Sequence, residues 1–165
     1  MKSLNYIIAA TNLLVSFSGH SQMSKDSELF KTLKDNDSLL FEVGFNTCNL
    51  NKFENLMSDN VEFYHDKSGV TNSLSQFMEV MKTGICNPSN TFHARRELVE
   101  GSLKVFPLYD NGVLYGAIQE GEHRFFEKND NQPEKAGSTA KFTHLWILDN
   151  QQWKLKRILS YDHQL

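Results

Sequence analysis

The stretch AKFTHLWILDNQQWKLKRILSYDH, residues 140–163, decides how the rest of the chain is read. Apolar and polar residues alternate through it, with one interruption at Asp149-Asn150-Gln151-Gln152, the pattern of two strands joined by a tight turn. With Asp149 and Gln152 flanking a two-residue turn, antiparallel pairing sets Leu148 against Trp153, Trp146 against Leu155 and His144 against Arg157. Phe142, Leu159, Tyr161 and His163 extend that face. Thr143, Leu145, Ile147, Lys154, Lys156, Ile158, Ser160 and Asp162 make the other. Aromatics mixed with His and Arg give the first face the composition of a pocket wall. The plainer reading is that His144 and Arg157 sit at the wet end of an ordinary sheet.

Upstream, the segment Lys128 to Ser138, with its Asn, Asp, Pro and Gly, reads as a polar loop. Before it, Thr91–Leu108 and Val113–Glu127 alternate imperfectly around the turn Tyr109-Asp110-Asn111-Gly112. Pairing across that turn sets Val99 against His123 and Glu97 against Phe125, and across the long loop His123 lies near His144. In that register Arg95, Glu97, His123, His144, Arg157, Tyr161 and His163 share one face, and a slip of one residue would send part of the set to the other side.

The first half is helical. Leu29, Phe30, Leu33, Leu39, Leu40 and Val43 recur at helical spacing, with a possible break at Asp35–Asp37 where Asp37 caps a second segment. A short helix follows Asn51, a strand covers Val61–Asp66, and Asn72 or Ser73 caps a third helix carrying Leu74, Phe77, Met78 and Met81. Three helices followed by an antiparallel meander predict an α+β fold, a strongly curved, cone-shaped antiparallel sheet wrapped around the helices. Such a sheet would leave a cavity for the polar face.

At 165 residues, 39% hydrophobic and 12% aromatic, the chain suits a single domain with a substantial core. A net charge of -3 and a pI near 6.1 argue against nucleic acid as a partner. Residues 1–21 read as a secretory signal, one Lys and then an apolar run too short to span a bilayer, leaving residues 22–165 as the mature domain. The expectation is an exported protein, periplasmic or secreted, with no membrane attachment after cleavage. In that setting two cysteines, Cys48 and Cys86, favour a disulfide over two unrelated buried thiols.

Two His near a Glu admit three readings: a metal site, a general base held by a carboxylate, or a polar network without catalysis. No HExxH motif occurs, so neither a metal nor a cofactor is expected. His123 and His144 are the candidate catalytic bases. Tyr64, His65, Asp66, Arg95, Glu97, Trp146, Arg157, Tyr161, Asp162 and His163 are the candidate ligand-binding residues. The Tyr64-His65-Asp66 and Tyr161-Asp162-His163 groups stand out because each sits at a strand end, although neighbours on one strand point to opposite faces, so any dyad must join two segments.

The run Val61-Glu62-Phe63-Tyr64-His65-Asp66-Lys67-Ser68-Gly69, the run Arg95–Ser102, Tyr115–Gln119, Phe142–Trp146, Trp153–Leu155 and Ser160–His163 together resemble the nuclear transport factor 2-like superfamily in its SnoaL-like branch of small exported bacterial proteins. The resemblance covers Leu29 to His163. It implies a cystatin-like half-barrel, and it spans isomerases, dehydratases, cyclases and carriers, so it does not fix the chemistry. Ketosteroid isomerase members use an Asp base with a Tyr-Asp oxyanion pair, and SnoaL-type cyclases an Asp/His pair. The leading expectation is an exported small-molecule-binding domain whose cavity is lined by Tyr64, Trp146 and the His/Arg/Glu face. The alternatives are a lyase or isomerase with a His base, and a noncatalytic dimeric module paired through the second sheet face.

Overall fold

The computed structural model describes residues 22–165, so the expected signal segment lies outside the described residues. Helix α1 (Glu28–Ser38) starts where the Ser27 hydroxyl accepts from the Phe30 N–H at 3.2 Å. It runs on without a break into a π-helical segment, Leu39–Phe45. Asp37 is therefore not a cap: its carboxylate is buried and paired with Arg96, at 2.6 and 3.1 Å. Helix α2 (Asn51–Leu56) follows, with Asn51 its first residue rather than its cap. Helix α3 (Leu74–Thr83) is capped by Ser73, which accepts from Gln76 N–H. The Gln76 side chain returns to Asn72 N–H, satisfying a second free donor at that end. Among the described residues no helix is long and apolar enough to cross a membrane.

Seven strands form one sheet: β1 (Met57–His65), β2 (Gly69–Thr71), β3 (Phe92–Leu98), β4 (Lys104–Asp110), β5 (Val113–Asn129), β6 (Lys135–Asp149) and β7 (Gln152–Gln164). Its order is β2-β1-β7-β6-β5-β3, with β4 also pairing β5. Two features overturn the expected cone or barrel. The sheet is mixed, because β1 pairs with β7 in parallel. It is also open and not strongly curled, ending at β2 on one side and at β3 and β4 on the other. Local pairing of consecutive strands suggested an antiparallel meander. The first strand instead joins the last, in parallel, and the chain between them supplies the long crossover that parallel pairing needs.

The helices cover one face of the sheet. Phe30, Leu33, Leu40, Phe53, Phe77, Met78 and Met81 pack from the helical side onto Val61, Val105, Ala117, Phe142, Trp146, Leu155 and Ile158. Trp146, expected to line a cavity there, is completely buried. Cys48, at a positive φ of 55° just past the π-helical segment, is disulfide-bonded to Cys86 in the loop after α3.

Arg96 is the buried charge that joins the two layers. Its guanidinium lies 4.0 Å over the Phe41 ring and 5.1 Å from that of Phe142, and its backbone N–H donates to Asn46 Oδ1 at 2.7 Å. Removing one partner from a buried pair leaves the other charge uncompensated. Asp37→Ala is accordingly expected to cost about 3–5 kcal/mol in urea denaturation, against a change within about 0.5 kcal/mol for exposed Asp35→Ala.

Candidate functional site

Strand register decides which polar side chains meet. The turn pairs Leu148 with Trp153 and Trp146 with Leu155, as the sequence implies, but one step later His144 faces Ile158 and Leu145 faces Arg157. Lys156 is the extra residue, a β-bulge that turns Arg157 outward and brings Ile158 and Ser160 inward. A second bulge falls at Asp162, whose φ of 59° lets two residues, Asp162 and His163, stand against Ala140 of β6. It leaves Tyr161 outside and carries His163 in.

The β3 register also differs by one residue. Leu98, not Val99, faces His123, and Arg96, not Glu97, faces Phe125. The excursion Val99–Leu103, turning at Gly101 with φ 78°, separates β3 from β4, and the two pair separately along β5. Arg95 and Glu97 therefore lie on the exposed face, where Arg95 grips Glu134 through two nitrogens and Glu97 through a third. Arg157 pairs there with Glu62 at 2.8 Å, and the Tyr64 hydroxyl donates to the same carboxylate. Asp162 pairs with Lys141 at 2.7 Å.

His123 and His144 share the inner face without touching. His123 stands opposite Ala140 and His144 opposite Gln119, with the Phe142 ring between them at 5.3 and 4.5 Å from their centroids. Both are buried. Gln119 Oε1 accepts from Trp146 Nε1 at 2.8 Å and lies 3.1 Å from His144 Nδ1, while Gln119 Nε2 donates to the Leu33 carbonyl. Because an indole N–H only donates, that oxygen is an acceptor and His144 carries its proton on Nδ1. Burial, with Arg96 beside it, holds His144 well below its ordinary pKa and brings His123 down to about 3. Both imidazoles are enclosed by core side chains, His144 against Phe41 and Phe142 and His123 against Phe125 and Phe142.

The residues that do converge at the surface are His65, Asp66 and His163. Parallel pairing aligns the ends of β1 and β7, so Asp66 and His163 meet across 97 residues of sequence. Asp66 Oδ1 lies 2.6 Å from His163 Nδ1, and Oδ2 accepts the His163 backbone N–H at 3.2 Å. These bonds hold the Asp66 carboxyl below its usual range against the opposing effect of desolvation. His65 stacks on His163 with ring centroids 4.4 Å apart, and its Nδ1 accepts the backbone N–H groups of Lys67 and Ser68. Burial and the His163 ring lower its pKa. His163 Nε2 lies 3.4 Å from Ser160 Oγ, which is 3.4 Å from His123 Nε2, and Arg96 Nε donates to His123 Nδ1 at 3.3 Å.

One ligand atom from each of His65, Asp66 and His163 falls within 4.8 Å of the others, a grouping of the kind that holds a divalent ion. The ring geometry opposes it. Imidazole lone pairs lie in the ring plane, and two stacked rings inclined by only 19° cannot aim at one ion. His65 Nδ1 is, moreover, already taken by two amides. Sequence reasoning singled out the runs Tyr64-His65-Asp66 and Tyr161-Asp162-His163 without joining these three, took Asp37 for a cap, and gave no role to Arg96, Gln119 or Ser160. The alternation of Gln119 with Ala117 was the available signal for its burial.

No family model and no curated protein sequence matches the chain. Solved structures do match in shape. A nuclear transport factor 2-like superfamily protein from Salmonella enterica has a TM-score of 0.63 at 15% identity, covering 79% of this chain and 88% of its own. ActVI-ORFA from Streptomyces coelicolor has a TM-score of 0.66 at 8% identity, covering 84% and 98%. A type 2 hexachlorocyclohexane dehydrochlorinase has a TM-score of 0.64 at 10% identity, covering 82% and 84%. The chain has the nuclear transport factor 2-like fold, and at these identities the likeness reaches no further than the fold.

The lowered histidines link stability to pH. Below the ordinary value of 6.5 the unfolded chain binds protons that His123, His144 and His65 refuse when folded, so stability falls as pH falls. Asp37, raised by burial against the pull of Arg96, acts in the opposite sense nearer the carboxylate range. Urea midpoints measured from pH 7.5 to about 5 should drop, with each buried imidazole contributing up to about 1.4 kcal/mol per pH unit. A flat profile would show that the two histidines are not held neutral.

Proposed function

We propose that this is an exported small-molecule-binding protein of the SnoaL-like branch whose ligand site is the rim formed by His65, Asp66 and His163. The observation that carries the reading is the 2.6 Å contact between Asp66 and His163 beside a partly exposed His65, where two adjacent strands end. Elsewhere the polar groups of the inner face are consumed by one another, as Asp37 is by Arg96 and Gln119 by Trp146 and His144. Export is supported by the apolar N-terminal run and by the Cys48–Cys86 disulfide, a bond that persists in oxidising compartments.

A second reading, a lyase or isomerase, is favoured by the same contact, since a carboxylate held against an imidazole is the arrangement of an oriented general base. The hexachlorocyclohexane dehydrochlorinase among the structures of like shape is an elimination enzyme by its name. On this reading the base belongs at the rim and not at His123 or His144. Homodimerisation through the outer sheet face is supported by exposed Tyr64, Leu159 and Tyr161, with Leu145 and Ile147 beside them, whereas Ile158 faces inward.

Incubating the mature protein with a metabolite extract and recovering what it retains tests the rim. An Asp66→Ala, His65→Ala double variant should retain at least about tenfold less of that compound, with Arg95→Ala unchanged. Recovery of the compound unaltered supports binding. Conversion that falls by a factor of about 10²–10⁴ in His163→Ala supports proton transfer instead. Light scattering across a wide concentration range tests the dimer, and a monomer throughout removes it.

A further inference from the structure

Hydrogen-bond direction can be followed from the core to the rim. A guanidinium has only donors, so His123 Nδ1, 3.3 Å from Arg96 Nε, must accept. A neutral His123 then carries its proton on Nε2 and offers it to Ser160 Oγ. The Ser160 hydroxyl, accepting there, turns its own proton towards His163 Nε2. His163 is left with its proton on Nδ1, where Asp66 Oδ1 receives it at 2.6 Å. Every bond in the chain runs outward, and both nitrogens of His163 are used.

His65 is fixed independently. Two amide N–H groups, from Lys67 and Ser68, enter its Nδ1, so a neutral His65 carries its proton on Nε2. Its side chain is partly exposed and no side chain among the described residues bonds that nitrogen. Asp66 spends one lone pair of each oxygen on His163, which leaves acceptor capacity on a carboxylate that is 31% exposed. The rim thus offers one donor, His65 Nε2–H, and one acceptor, the Asp66 carboxylate, on neighbouring residues whose ring and carboxylate approach to 3.4 Å at His65 Nδ1 and Asp66 Oδ1.

We infer that the rim takes an uncharged ligand head that sets a hydrogen-bond donor next to an acceptor, a primary carboxamide being the simplest case. The inference rests on reading the rim as the ligand site. An anionic head would meet the Asp66 carboxylate. A cationic head would satisfy Asp66 but turn donors towards the His65 N–H, with Lys67 next in sequence adding a like charge. An amide satisfies both groups, and leaving either one unpaired weakens binding.

Two measurements on the full mature chain test this. Imidazole 15N spectra of the free protein should show His65 in the Nε2–H form and His163 in the Nδ1–H form, and the opposite tautomer at either residue overturns the inference. NMR titration with acetamide, acetate and methylammonium should then give saturable shifts at His65 and Asp66 with acetamide, at a Kd at least about tenfold lower than for either ion. Equal or tighter binding of acetate or methylammonium, or no shift with any probe, overturns it. The two failures are distinguishable. If the compound retained from extract needs His65 and Asp66 while the probes favour an ion, only the ligand class falls. If its retention ignores both residues, the rim reading falls and this inference with it.

Discussion

Burying an arginine beside an aspartate is the constraint that the rest of this structure accommodates. Taking both ions out of water costs several kcal/mol each unless geometry and additional bonds offset it. Here the offset comes from two charge-assisted bonds between Asp37 and Arg96, from the Phe41 and Phe142 rings near the guanidinium, and from His123 Nδ1 accepting from Arg96 Nε. Each requirement places an element. Asp37 sits where α1 passes into the π-helical segment, and Arg96 is the cation that balances its buried charge. The π-helical segment directly after it carries Phe41 onto Arg96, while Phe142 approaches from β6.

That constraint also explains what was readable in the chain. The β6–β7 turn, the apolar spacing of α1 and α3 and the bond between Cys48 and Cys86 correspond to local signals of alternation, period and cysteine count. The core charge pair does not. Arg95 and Arg96 are adjacent and chemically identical, so only register distinguishes the surface network with Glu134 from the buried pair with Asp37. Asp37 in a polar run looks like a cap, because Asp-Asn-Asp-Ser is ordinary capping composition and nothing local signals a partner 59 residues away. The bulges at Lys156 and Asp162 were equally silent, since each lies among residues tolerated on either face; the first exchanges Arg157 for Ile158 and turns Tyr161 outward, and the second returns His163 to the inner face where it was expected.

The expected cone failed for a related reason. Alternation reports which residues form strands and which faces they share, but it does not report partners distant in sequence. The pairing of β1 with β7 is such a partnership, and it makes the sheet mixed and leaves it open at both edges. An inner face that looked like a pocket wall is instead filled by Trp146, Phe142 and the two buried histidines. Polar composition on a strand face is therefore compatible with a saturated core network as much as with a cavity, and only the count of donors against acceptors separates the two.

The same count distinguishes the rim from the interior. Inside, Arg96, Gln119 and Trp146 each donate to a protein acceptor. At the ends of β1 and β7 the accounting leaves a remainder. His163 is fully used, yet Asp66 keeps acceptor capacity and His65 keeps a proton that no neighbouring side chain claims. The remainder arises where β1 and β7 end side by side, so that Asp66 and His163 meet just past the paired residues. In this fold the parallel pair, which local sequence patterns did not reveal, brings Asp66 and His163 together at the rim proposed as the ligand site.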